Sequence, residues 1–148
     1  MRPGAGDYLF VYGTLQSTAG HALWGLLSEK AVLVGRGAIR ARLYIVHEVD
    51  DQGDNWFPAA VPTFDKDAET HGEVYQLRDP EPLLTALDRY ENCGPEWPEP
   101  NEFLLRRIDV AMAQGGALQA FTYLYTYDVS AARLVPSGRF DEVAPEVR

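Results

Sequence analysis

Short apolar runs and alternations divide this chain, and most have the two-residue period of a β-strand. Residues 8–12 (YLFVY) form an apolar run that stops abruptly at Gly13-Thr14-Leu15. KAVLVG at 30–35 and AIRARLYIV at 38–46 predict two strands separated by Gly35-Arg36-Gly37. In the second, Ile39, Ala41, Leu43 and Ile45 alternate with Arg40, Arg42 and Tyr44, as a half-buried strand requires. NWFPAAVP at 55–62 carries two prolines and predicts an edge strand or extended segment. HGEVYQL at 71–77 predicts a further strand. FLLRRIDVAM and ALQAFTYLYTY, joined by Gln114-Gly115-Gly116, predict a hairpin. Phe121, Tyr123, Tyr125 and Tyr127 share one face of its second arm, either as an aromatic core or with hydroxyls directed into a pocket.

Two segments have helical spacing. HALWGLLSE at 21–29 groups Leu23, Trp24, Leu26 and Leu27. The second begins at Asp79, an N-cap residue, with Pro80 in the first helical position and Gly94 as its stop. The order strand, helix, several strands, helix, two strands predicts an α+β domain around a mainly antiparallel, barrel-like sheet. One domain is expected over 1–148, with 1–7 a flexible arm and about 129–148 a surface tail.

A helical wheel of the second helix places one carboxylate among apolar neighbours. With Leu83 at zero and about 100° per residue, Leu87 falls near ~40°, Leu84 near ~100° and Tyr90 near ~340°. Arg89 and Thr85 fall on the opposite side, facing solvent. Glu91 falls near ~80°, inside the apolar arc, and Asp88 near ~140°, at its edge. Burial and the helix C-terminal dipole both disfavour a charge at Glu91 and make it a candidate general base. Fraying of the last turn into water is the alternative, and periodicity does not decide between them. Asp88 is expected to be structural, bonded to backbone or to a basic residue.

Composition narrows the function classes. Charged residues make up 24% of 148, the net charge is −9 and the hydrophobic fraction is 46%. This is a globular profile that lacks the basic excess expected for nucleic acid or an anionic membrane. Cys93 is the one cysteine, so neither an internal disulfide nor a thiolate cluster forms. The start, MRPGAGD, has no apolar signal segment behind it and no run approaches a membrane span, so a cytoplasmic location is expected. His21, His47 and His71 share no metal-ligand spacing, and no activating histidine is recognisable beside Cys93.

LFVYGTL near the start, FPAAV at 57–61, HGEVYQL at 71–77, LLTALDRYEN at 83–92 and LLRRIDV at 104–110 follow one another in order. Together they resemble the gamma-glutamylcyclotransferase-like family, which includes the gamma-glutamylamine cyclotransferases, from about residue 8 to about 127. The pair Tyr-Gly-Thr-Leu and Leu-Asp-x-Tyr-Glu, with Gly-Glu-Val-Tyr between, is the specific element. The resemblance implies a small, mainly antiparallel β-barrel with flanking helices and one cavity. It implies an acyltransferase-type cyclisation that releases 5-oxoproline from a γ-glutamyl amide. In this reading Glu91 is the acid/base, Tyr12 a wall, and the amides of Thr14 and Leu15 after Gly13 an anion nest. Those amides hold either the α-carboxylate or the developing oxyanion. Tyr125 is the matching aromatic of the last strand. No cofactor or metal is required, and the partner is a small γ-glutamyl molecule. The sequence departs from the family at Phe103, where a tyrosine is common, and in the long Pro-rich stretch 93–101 before it. Three alternatives stand beside this reading. One is a silent member that binds an amino-acid-like ligand. Another is a partner-binding module using the aromatic strand and the Trp97 loop. The third is a cyclotransferase acting on a protected biosynthetic intermediate.

Overall fold

A computed structural model describes residues 2–13, 23–51, 53–90 and 101–140. The elements run β1 (Tyr8–Val11), α1 (Leu23–Lys30), β2 (Ala31–Ile39), β3 (Ala41–Asp50), β4 (Gly53–Pro62), β5 (Thr70–Leu77), α2 (Pro80–Tyr90), β6 (Phe103–Met112), β7 (Ala117–Tyr125) and β8 (Arg133–Leu134). Five strands close into a barrel in the order β1-β5-β2-β6-β7. Every pairing in it is antiparallel except β1 against β7, with Leu9 opposite Phe121, which closes the ring. The remaining strands make a three-stranded sheet, β4-β3-β8.

β1 explains its own composition. Leu9 and Val11 pack with Tyr75, Leu77, Phe121, Tyr123 and the helix leucines Leu27, Leu83 and Leu87. Phe10 and Tyr12 pack on the other side with Val74, Ala120, Leu124, Leu43 and Ile45. Both faces are buried, so the run is apolar throughout and does not alternate. In β2–β3 the predicted alternation holds: Ile39, Ala41, Leu43 and Ile45 are buried and Arg40 is exposed. The 6–7 hairpin turns at Gly115 and Gly116, both with positive φ (111° and 81°).

One boundary differs from expectation. β2 runs straight through Gly35-Arg36-Gly37, with a register shift between Leu33 and Gly35, and the chain turns instead at Arg40. Gly37 is there for space rather than for a turn. A side chain on it would crowd Val110 Cγ1 at 2.7 Å and the Ala111 carbonyl at 3.0 Å. α2 starts at Pro80 after Asp79 as predicted, and Leu83, Leu84 and Leu87 are fully buried while Thr85 and Arg89 are exposed. The Asp79 carboxylate pairs with Lys30 Nζ at 3.6 Å rather than capping the helix. The predicted stop, Gly94, lies outside the described residues.

Both expected loose ends are held down over their described parts. In the arm, the Gly6 amide donates to Leu77 O and the Leu77 amide to Asp7 O, extending the β1–β5 ladder outward. Arg2 donates to Asp88 at 2.9 Å. In the tail, β8 pairs with β3, and Val135 and Phe140 are buried. Gly138, with φ 68°, accepts a hydrogen bond from the His71 amide at 2.7 Å. The apolar spacing of 133–140 was too sparse to show periodicity, so its burial was not readable from pattern.

The two sheets meet at Tyr12. Its hydroxyl donates to Tyr123 O at 2.6 Å and accepts from the Ala60 amide at 3.2 Å. Among the described residues β4 has no strand on its outer edge, and alternate residues of a strand turn their N–H groups to the same edge. Pro58, Ala60 and Pro62 therefore share that edge: two positions have no N–H to leave unpaired, and Tyr12 satisfies the third. Replacing Tyr12 by Phe strands a buried carbonyl and a buried amide. We expect Tyr12→Phe to lose about 1–3 kcal/mol of unfolding free energy in a urea titration, with the denaturant slope unchanged.

Candidate functional site

Strand register brings Gly13 and Tyr125 toward one end of the barrel. Leu9 lies opposite Phe121 in the parallel pair, and Thr122 Oγ1 bonds Phe10 O at 2.9 Å. Tyr125 ends β7 four residues past Phe121, and Gly13 lies two residues past the end of β1 on the same side. Phe103 is the cross-strand partner of Tyr125. The Tyr125 ring centroid lies 5.1 Å from that of Phe103, 6.0 Å from Phe57 and 5.8 Å from Tyr127.

Gly13 is buried and lies against β4. A Cβ there would run into the Pro58 ring. It is absent from the residues of positive φ, so its need for glycine is the close approach of Pro58 rather than a left-handed backbone. Tyr12 is 7% exposed, and its hydroxyl is committed to backbone. Thr14, Leu15 and Glu91 lie outside the described residues, as do His21, Cys93 and the stretch 93–100.

α2 is fixed to the same region just before Glu91. Asp88, 8% exposed, accepts from the Tyr123 hydroxyl at 2.7 Å and from Arg2 Nη1 at 2.9 Å. This meets the expectation that Asp88 bonds a basic residue. Burial opposes the Arg2 charge, but the bond to Asp88 and its negative charge outweigh that and raise the guanidinium pKa. Tyr123 thus reads as a tie between β7 and the last turns of α2, two residues before Tyr125 on the same strand face.

Several polar groups went unread in the sequence. Glu102 is buried immediately before β6, and Glu73 is buried in β5, where it accepts from the Tyr75 hydroxyl at 3.3 Å. Arg36 stands opposite Glu73 in the β2–β5 register. The period-2 pattern of HGEVYQL placed Glu73 and Tyr75 on one face, but both faces of β5 are covered, so alternation gave no sign of burial. Among the described residues no three His, Cys, Asp or Glu side chains converge as metal ligands do. His47 stacks on Trp56 at 3.9 Å and bonds Asp54 at 2.8 Å, away from these groups in a surface ladder.

Burial, and then the charges of Glu102 and Glu48, push the pKa of the Tyr125 hydroxyl up to about 12. The phenol stays neutral in the fold while an unfolded tyrosine ionises near ~10. Its contribution to stability is therefore complete below about pH 10 and is lost as pH rises toward 12. Absorbance titration at alkaline pH should show a late-ionising component that is smaller by one tyrosine in Tyr125→Phe. A second prediction concerns Gly13. Gly13→Ala should destabilise by about 1–3 kcal/mol, and Pro58→Ala should recover most of the loss in the double variant, measured by thermal melting.

Comparisons with known proteins agree on the fold. The model of the family described as gamma-glutamyl cyclotransferase, AIG2-like, matches residues 9–142. An AIG2-like protein from Mus musculus superposes with a TM-score of 0.68 at 21% identity, over 97% of this chain and 93% of that one. An uncharacterized protein from Pyrococcus horikoshii gives 0.57 at 20% identity, over 93% and 92%. A gamma-glutamyl cyclotransferase gives 0.59 at 15% identity, over 86% and 69%. No curated protein sequence matches.

Proposed function

The chain belongs to the gamma-glutamyl cyclotransferase, AIG2-like family, and on that premise we propose that it cyclises a γ-glutamyl amide to 5-oxoproline and a free amine. The observation that carries the reading is the meeting of the Gly13 end of β1 with the Tyr123-anchored last turns of α2 at one end of the barrel.

The reaction is an internal aminolysis. Glu91 takes a proton from the substrate α-ammonium, because only the free amine is nucleophilic. The amine nitrogen attacks the γ-carbonyl carbon and closes a five-membered ring. The tetrahedral intermediate then collapses: the bond to the leaving nitrogen breaks as Glu91 returns its proton to that nitrogen, and the ring nitrogen's second proton passes by way of Glu91 to the departing amine, which leaves as an ammonium. No water is consumed, and a carboxylate with a raised pKa suits both transfers. Holding the glutamyl chain curled supplies much of the acceleration, since well-ordered ring closures reach effective molarities on the order of 10⁵ M or more. The Thr14 and Leu15 amides meet the charge on the α-carboxylate or on the oxyanion. Gly13 admits Pro58 beside this turn, Tyr12 fixes it from behind, and Tyr125 closes the side opposite.

The test is incubation with a panel of γ-glutamyl amino acids and amines, with 5-oxoproline followed by mass spectrometry. Release is expected, and Glu91→Gln should lower kcat by roughly 10²–10⁴-fold, because an amide accepts no proton. Undiminished turnover in that variant removes Glu91 from the chemistry. Absence of product from every substrate favours a ligand-binding member of the fold.

A further inference from the structure

The arm before β1 reaches across to the helix that leads to the base. We infer that Arg2 is a positioning residue for the cyclisation: its guanidinium neutralises Asp88 and so holds the last turn of α2, from which the chain passes to Glu91, in its working orientation. The inference rests on the cyclotransferase reading and adds to it a residue that acts through another.

The arm is a built element. The Asp7 amide donates to Gly4 O at 3.1 Å, and the Gly4 amide donates to Asp7 Oδ2 at 2.8 Å, which closes a turn. The Gly6 amide and carbonyl are both engaged, by Leu77 O and by Gln76 Nε2. Pro3 is buried. These contacts set the course of the arm, and Arg2 at its outer end lies along α2. Its Nη1 donates to Asp88 Oδ2 at 2.9 Å, and its Nε lies 3.8 Å from Glu81 Oε1. Glu81 and Asp88 are about two turns apart and share one stripe of the helix.

Asp88 needs such a partner. It is buried in the last turn of α2, where the helix carbonyls disfavour a negative charge. The Tyr123 hydroxyl bonds Oδ1 at 2.7 Å and ties the turn to β7, but it brings no positive charge. Arg2 brings one, and a cation at this end of a helix also has the sign that the dipole favours. Leu83, Leu84 and Leu87 fix the body of α2 against the core. Asp88 fixes its exit. Without Arg2 the carboxylate gains by turning to water, because burial of an uncompensated charge is costly. The bond to Tyr123 then goes with it.

Glu91 follows three residues later, so its Cα lies within about 11 Å of that of Asp88. Ring closure and proton transfer need the base held to about 0.5 Å. A loosened helix exit lowers the share of time that Glu91 spends in place. It leaves the Gly13 turn, which receives the glutamyl group on this reading, unaltered. The loss therefore falls on kcat and spares KM.

Arg2→Gln, Arg2→Lys, Asp88→Asn and the double variant Arg2→Gln/Asp88→Asn decide the matter, each assayed where circular dichroism shows it folded. Arg2→Gln should lower kcat by roughly 10-fold with KM within about 2-fold of the parent. Arg2→Lys should recover much of the loss, because the charge returns without the fork. In the Asp88→Asn background no charge is left to neutralise, so adding Arg2→Gln should change kcat by less than about 2-fold. A lower melting temperature with kcat unchanged marks Arg2 as a brace for stability alone and overturns the inference. An equal loss of kcat in both backgrounds, or a rise in KM at constant kcat, also overturns it. If the parent protein releases 5-oxoproline from no γ-glutamyl amide, the cyclotransferase reading falls, and amide hydrogen exchange decides the hold on the helix exit. Faster exchange at residues 88–90 in Arg2→Gln, with 83–87 unchanged, supports that hold; equal protection overturns it.

Discussion

One hydroxyl sets the relation between the two sheets. Tyr12 joins the β7 backbone to the open edge of β4 through Tyr123 O and the Ala60 amide. A buried amide or carbonyl without a partner is costly, so this arrangement fixes where β4 lies against the barrel. Other placements follow from it. Pro58 comes over Gly13, which must then lack a side chain. Phe57, next in the chain, comes beside Tyr125 and Phe103. Packing at the barrel end is thus a consequence of satisfying an edge strand, and the residues that do so stand beside the motif most closely tied to the family.

Elements whose burial follows a period were legible in the sequence. The Ile39–Ile45 alternation and the leucine arc of α2 each reported one buried face, which pattern reads directly. The glycines misled where their reason was a neighbour distant in sequence. Gly35-Arg36-Gly37 read as a break, yet the strand continues because Gly37 makes room for Val110 and Ala111. At Gly13 the reason for glycine, a proline 45 residues later, is invisible to local pattern. The arm was read as loose because no local signal announces a pair such as Arg2 with Asp88, 86 residues apart.

The candidate site divides along the same line. Tyr12, Gly13 and Tyr125 are marked by motifs and strand faces, so pattern alone makes them candidates. Asp88 was placed by the wheel, and its partner was anticipated in kind. The buried carboxylates Glu73 and Glu102 were not found, because no spacing along the chain marks their burial.

The parallel pairing of β1 with β7 also has a consequence for how the molecule is made. β1 leaves the ribosome well before its partners, β5 and β7, which are made 62 and 109 residues after it begins. An apolar strand with both faces meant for burial must wait for them, and its closing contact spans most of the chain. Topology of this kind slows folding and leaves sticky intermediates. For the nascent chain, the stretch YLFVY is a segment for chaperones to hold until the last long hairpin emerges.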